Sequence, residues 1–253
     1  MKYAGDLTAY TLDGTSVLDT YTNVSFKVSA QVEEGKGGST RHSLGVPVKR
    51  SFEAKTEIMR DVSGARQTSL TMTVFSFGVT VFLAKIRSAT INVATANQEC
   101  SARADEFMNY QVTGTKVTGS GEMQILDADT TTLMETVNGT LAGLSTTISI
   151  TVGGVTLVLP VVLSGVELKT ERDGLILVSF DWEQRGTPTT VSGSSLLTTA
   201  ITGDALVTFV ATITTIGTYT GTTLVESCTL TIPDAGILTE QYNFKGMGTL
   251  VKS

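Results

Sequence analysis

The sequence predicts an all-β chain built as two tandem β-sandwich or barrel domains with at most short helices. Three observations lead there. Apolar and polar residues alternate with a period of two, the composition is that of strands and turns, and blocks of the first half recur in the second. Thr, Val and Gly are abundant, the mixture that pleated strands and tight turns favour.

Taken in order, the alternation marks the strands. Phe26, Val28, Ala30 and Val32 interleave with Ser25, Lys27, Ser29 and Gln31. Val46, Val48, Phe52, Ala54 and Ile58 keep one parity, broken by Arg50 and Thr56. Ile176, Val178, Phe180 and Trp182 do the same in the second half. Asp13-Gly14, Gly153-Gly154 and Asp173-Gly174 accept the positive φ angles of primed hairpin turns. Asn138-Gly139 and Pro233-Asp234-Ala235-Gly236 mark two further turns. Helical periodicity is confined to two short stretches, residues 105–110 and 194–200.

The halves repeat one another. Ser51-Phe52-Glu53-Ala54 resembles Ser179-Phe180-Asp181-Trp182 at an offset of 128 residues. Ala89-Thr90-Ile91 resembles Ala211-Thr212-Ile213 at 122, and Gly119-Ser120-Gly121-Glu122-Met123 resembles Gly246-Met247-Gly248-Thr249-Leu250 at 127. Three blocks in one order predict a duplication, with domains at 1–126 and 137–253 and a polar linker at 127–136. Cys100 and Cys228 also stand 128 residues apart. Equivalent places in separate domains rarely meet, so both are expected as small buried hydrophobes rather than as a disulfide.

Composition narrows the function classes. Hydrophobic residues are 41% of the chain and aromatics 6%; charged residues are 17%, below the roughly 25% of an average soluble protein. Weakly charged, Thr-rich surfaces suit a subunit that covers much of its exterior with neighbours. The net charge of −6 makes the outer surface a poor match for free nucleic acid. It is unevenly divided, +1 over residues 1–126 (13 basic, 12 acidic) and −7 over residues 127–253 (5 basic, 12 acidic). The opening Met1-Lys2-Tyr3-Ala4-Gly5-Asp6 has no leader pattern, so a cytoplasmic origin is expected. The most apolar stretch, residues 155–163, is too short to span a bilayer and holds Pro160, so no membrane partner is expected.

Chemistry-bearing patterns are sparse. His42 is the only histidine, and any Ser-His-Asp, Cys-His or multi-histidine metal site would have to use it. It sits among glycines in a polar loop, where a solvated side chain is the natural reading. The run Gly35-Lys36-Gly37-Gly38-Ser39-Thr40 lacks the Gly-Lys-Ser/Thr ending of a phosphate loop and leads into a strand, not a helix. Glu33-Glu34 and Asp105-Glu106 read as solvated acids, and Trp182, on an alternating strand, as core. No catalytic, metal or cofactor site is expected, and a non-enzymatic role follows.

The order of features in the first half resembles the tail tube proteins of long-tailed bacteriophages. A short strand pair around Asp13-Gly14 is followed by Asn23-Val24-Ser25-Phe26-Lys27-Val28-Ser29 with Glu33-Glu34. A Gly-rich polar loop, a long strand over residues 46–58 and a closing strand with a Gly-x-Gly pattern come next; the last recurs at residues 246–251. The resemblance covers the first half well and the second in part. It implies a structural virion protein of the tail. Its β-sandwiches join into rings, and the rings stack into a tube that conducts double-stranded DNA without binding it specifically. Other tail proteins are implied as partners, and the host cytoplasm as the place of assembly. The loop formed by Gly35, Lys36, Gly37, Gly38, Ser39, Thr40, Arg41, His42 and Ser43 would touch the adjacent ring; with three glycines it orders against a neighbour more readily than alone. The duplication implies homotrimeric rings with six quasi-equivalent domains. Two other readings stay open: the tube of a related injection or secretion apparatus, and a tandem β-sandwich adhesin. The adhesin needs exposed aromatics or an acidic calcium cluster.

Overall fold

A computed structural model describes residues 7–12, 15–16, 21–35, 44–59, 74–77, 80–81, 85–102, 107–125, 146–152, 155–170, 176–192, 199–201, 206–233 and 239–253. The chain is all-β, as expected. Its strands are β1 (Leu7–Leu12), β2 (Thr15–Ser16), β3 (Tyr21–Gly35), β4 (Leu44–Met59), β5 (Val74–Phe77), β6 (Thr80–Val81), β7 (Lys85–Glu99) and β8 (Tyr110–Ile125). The second half adds β9 (Thr146–Val152), β10 (Val155–Thr170), β11 (Ile176–Gln184), β12 (Thr190–Ser192), β13 (Leu206–Ile213), β14 (Gly217–Ile232) and β15 (Thr239–Lys252). The expected glycine turns lie outside the described residues, but the pairs that close them are present: Leu12 with Thr15, Val152 with Val155, and Thr170 with Ile176. Residues 199–201 make one helical turn. The helix expected at 105–110 does not form: Phe107 bridges to Arg50, and Tyr110 already begins β8. No helix among the described residues is long and apolar enough to cross a membrane.

The strand pairing does not stay within the two expected halves. All the strands belong to one sheet, and its ladders join the halves instead of separating them. Four long hairpins, β3–β4, β7–β8, β10–β11 and β14–β15, line up in the order β3-β4-β15-β14-β7-β8-β11-β10. If β3 is matched with β10, β4 with β11, β7 with β14 and β8 with β15, this order reads the same from either end. The central ladder, β7 against β14, is antiparallel and pairs equivalent strands, as a two-fold axis requires. The last hairpin of each half pairs with the other half: β14–β15 continues β3–β4, and β7–β8 continues β10–β11. The expected division into 1–126 and 137–253 is not followed by the pairing, and the linker at 127–136 lies outside the described residues.

Side chains confirm the matching of strands. Phe52 on β4 lies over Gly246 on β15, and Phe180 on β11 lies over Gly121 on β8. Phe52 and Phe180, 128 residues apart, thus hold corresponding places in the sheet. Gly121 matches Gly246, two residues from the register expected for that block. The match of Ala89–Ile91 with Ala211–Ile213 is coincidental. β13 is a neighbour of β14 in the sheet, and β14 itself is the counterpart of β7.

One face of this eight-stranded run is apolar. Phe52, Ala54, Ile91, Val93, Val117, Met123, Val178, Phe180, Trp182, Cys228, Leu230, Tyr242 and Phe244 are buried along it. Burying each large side chain contributes roughly 1.5–3 kcal/mol. β14 has β15 on one edge, while its other edge pairs first with β13 and then with β7, so the sheet branches there. Phe26 of β3 meets Phe209 of β13 at 6.2 Å and Tyr219 of β14 at 5.0 Å between ring centroids, which joins the branch to the same core.

Candidate assembly surface

The opposite face of the run is mostly polar, with Val162 and Leu177 as aliphatic exceptions near the β10 edge. One register line crosses all eight strands through Asn23, Glu57, Gln241, Thr229, Asn92, Thr118, Glu183 and Val162. The lines beside it continue the pattern, because successive side chains of a strand alternate between faces. Thr229 Oγ1 donates to Asn92 Oδ1 at 3.0 Å across the central ladder, and Asn243 Nδ2 donates to Ser227 Oγ at 2.7 Å. Lys27, Lys55, Lys116, Lys169 and Lys245 share this face with Glu53, Glu57, Glu122, Glu167, Asp181 and Glu183, so its charge is nearly balanced. Lys116 Nζ stands 2.6 Å from Glu183 Oε1, and Arg87 stands 3.5 Å from Glu122. A groove of about 230 Å³ crosses β7, β8 and β11, lined by Ser88, Thr90, Ser120, Glu122, Ser179 and Asp181.

The run has two outer edges, and they are equivalent strands. Among the described residues β3 pairs with β4 alone, and residues 162–170 of β10 pair with β11 alone. Each edge carries an aliphatic side chain in water on the otherwise apolar face: Val28 is 52% exposed and Leu168 38%. Glu167 and Lys169, two apart on β10, approach to 3.4 Å.

Of the loop expected to touch a neighbouring ring, Gly35 is the last residue of β3 and pairs with Leu44. Residues 36–43, including His42, lie outside the described residues. Gly35 and Leu44 are the last pair of the β3–β4 ladder at that end. Because β3 and β10 run in opposite senses, Thr170 and Ile176, the pair that closes the β10–β11 hairpin, stand at the other end of the strands.

The connection between β7 and β8 returns to the sheet at Arg50 of β4. β4 and β15 pair only as far as Glu53 and Lys245, and beyond this point the chain at 107–109 enters between them. Met108 N donates to Arg50 O at 2.9 Å, and Gly248 N donates to Met108 O at 3.3 Å. Phe107 is buried, and Lys245 Nζ sits 3.9 Å from the centre of the Tyr110 ring. Burial raises the Tyr110 phenol above its usual range, and the charges of Glu99, Glu53 and Glu226 add to the effect. Hydrogen bonds from Lys49 and Ser101 hold the Glu99 carboxyl below its own range. Cys100 starts this connection and is exposed, contrary to expectation, because the chain leaves the sheet there; Cys228 is buried, and both are free thiols.

Sequence reasoning missed Lys27, Val28, Glu167 and Leu168. Their alternation was legible; that they stand on outer strands is a property of the ladder order alone. Comparison of the sequence with known protein families and with curated proteins finds no match.

Proposed function

We propose that the chain is a structural virion protein whose copies form stacked rings of a bacteriophage tail tube, a conduit for DNA. The observation that carries this reading is the mostly polar face that spans all eight strands of one chain. A conduit wall must be wettable and must not hold the polyanion. Duplex DNA carries one charge per about 1.7 Å, and a basic wall would bind it by releasing counterions. Hydroxyl and amide groups with balanced Lys and Glu give little such release. The resemblance of the first half to tail tube proteins supports the same reading.

Three chains close each ring in this proposal, as head-to-tail contacts between identical subunits permit. The half-chains then alternate in direction, because a two-fold relation reverses strand sense. The closing pairs Gly35–Leu44 and Thr170–Ile176 then face opposite rims, which gives the ring distinct faces for stacking. Electron microscopy of the purified protein tests the proposal. Tubes with three chains per ring are expected. Dispersed monomers that adhere to cells would favour the adhesin instead, and six chains per ring would defeat the three-fold closure.

A further inference from the structure

On the reading of the chain as a ring subunit, we infer that the outer edge of β3 pairs with residues 162–170 of β10 in a second copy, antiparallel, with Val28 opposite Val166. Strand direction is the first argument. Neighbours alternate in sense across the eight strands, and eight is even, so a copy placed beside the first without inversion presents its β3 antiparallel to the first copy's β10. No flip or parallel ladder is needed.

The chain also contains a precedent. β7 and β14 are equivalent strands that meet antiparallel at the centre of the sheet. β3 and β10 are likewise matched strands, and within one chain they lie at opposite ends of the eight-strand order. A second copy brings them together and continues both faces of the sheet.

Charge selects the register. With Val28 opposite Val166, Phe26 falls opposite Leu168 on the apolar face and Lys27 opposite Glu167 on the polar face. A slip of two residues that sets Val28 against Leu168 places Lys27 against Lys169, and like charges directly opposite are unfavourable. A slip of one residue would put apolar side chains on the polar face. The pairing also covers Val28 and Leu168, and it satisfies the backbone groups that a long edge strand leaves open to unwanted partners.

Charge reversal and cross-linking of the full chain test this pairing. Lys27→Glu should raise the concentration needed for assembly about 5-fold, the effect of roughly 1 kcal/mol at one cross-strand pair. Lys27→Glu combined with Glu167→Lys should restore it. In a Cys100→Ser background, Val28→Cys with Val166→Cys should give disulfide-linked multimers on a denaturing gel, since directly opposed Cβ atoms lie within bonding reach. Circular dichroism checks that every variant is folded. If the wild-type chain assembles while the cysteine variant stays monomeric on the gel and the double reversal does not rescue, the pairing is wrong and the ring reading stands. If the wild-type chain forms no assemblies, both fall.

Discussion

At the scale of single residues, the exchanged hairpins are held by large side chains set against absent ones. A Cβ added at Gly121 would lie 2.6 Å from the Phe180 ring, and one at Gly246 would collide with Phe52. Trp182 likewise fills the space above Gly119, whereas its counterpart pair reverses the sizes, with Phe244 opposite Ala54. Gly121→Ala should therefore cost about 1–3 kcal/mol by overpacking. Adding Phe180→Leu should cost less than the sum of the two single changes, which denaturant titration of the four proteins measures. A second residue-scale effect depends on pH. Tyr242 is fully buried and donates to Glu240 Oε2 at 2.7 Å; burial, then the neighbouring Cys228 and Glu240, push its phenol well above 10. The folded state thus favours the protonated phenol. Its contribution to stability is complete below the unfolded value of roughly 10 and is lost as pH climbs from there toward the folded value. Unfolding midpoints measured from pH 9 upward should fall in the wild type, and Tyr242→Phe should flatten that fall.

At the scale of elements, the two quartets of strands handle a parting ladder differently. In the first, the chain at 107–109 fills the gap between β4 and β15 with backbone. In the second, β8 and β11 part after Thr118 and Glu183, and a side chain fills the gap. Gln184 Oε1 accepts from Val117 N at 2.9 Å while its Nε2 donates to Gly186 O at 2.7 Å. Gln184→Ala would remove the partner of a backbone N–H and should cost about 1–3 kcal/mol. Amide exchange at Val117 should accelerate in that variant, with strands β3 and β4 little changed. Similar protection at Val117 in both proteins would contradict this role.

At the scale of the whole molecule, exchange makes the halves interdependent. Two independent domains would unfold separately, but here each hairpin pair is completed by the other half. Trp182, the only tryptophan, lies in the second half, so its fluorescence reports one quartet while circular dichroism reports the whole sheet. The two signals should follow one cooperative transition. Phe52→Ala, in the first half, should lower the midpoint seen by Trp182 as much as that seen by circular dichroism. Separate transitions would show that the quartets fold independently.

Period-two alternation determined the strand content, since a face that must be buried every second residue allows few other solutions. Dipeptides such as Gly153-Gly154 located hairpins whose closing pairs stand where expected, and the equivalence of Phe52 and Phe180 was readable because one packing role required one residue type twice. The partners of those strands were not readable. β4 could have paired with β8 or with β15, because each offers a glycine to lie under Phe52, Gly121 or Gly246, and only tertiary structure chose β15. The same limit hid the outer strands: Val28 and Leu168 carry an ordinary strand pattern, and their exposure follows from their positions at the two ends of the ladder order. Alternation acts along the chain and is written in it, whereas strand order is settled by long-range backbone pairing, to which any alternating segment is equally suited.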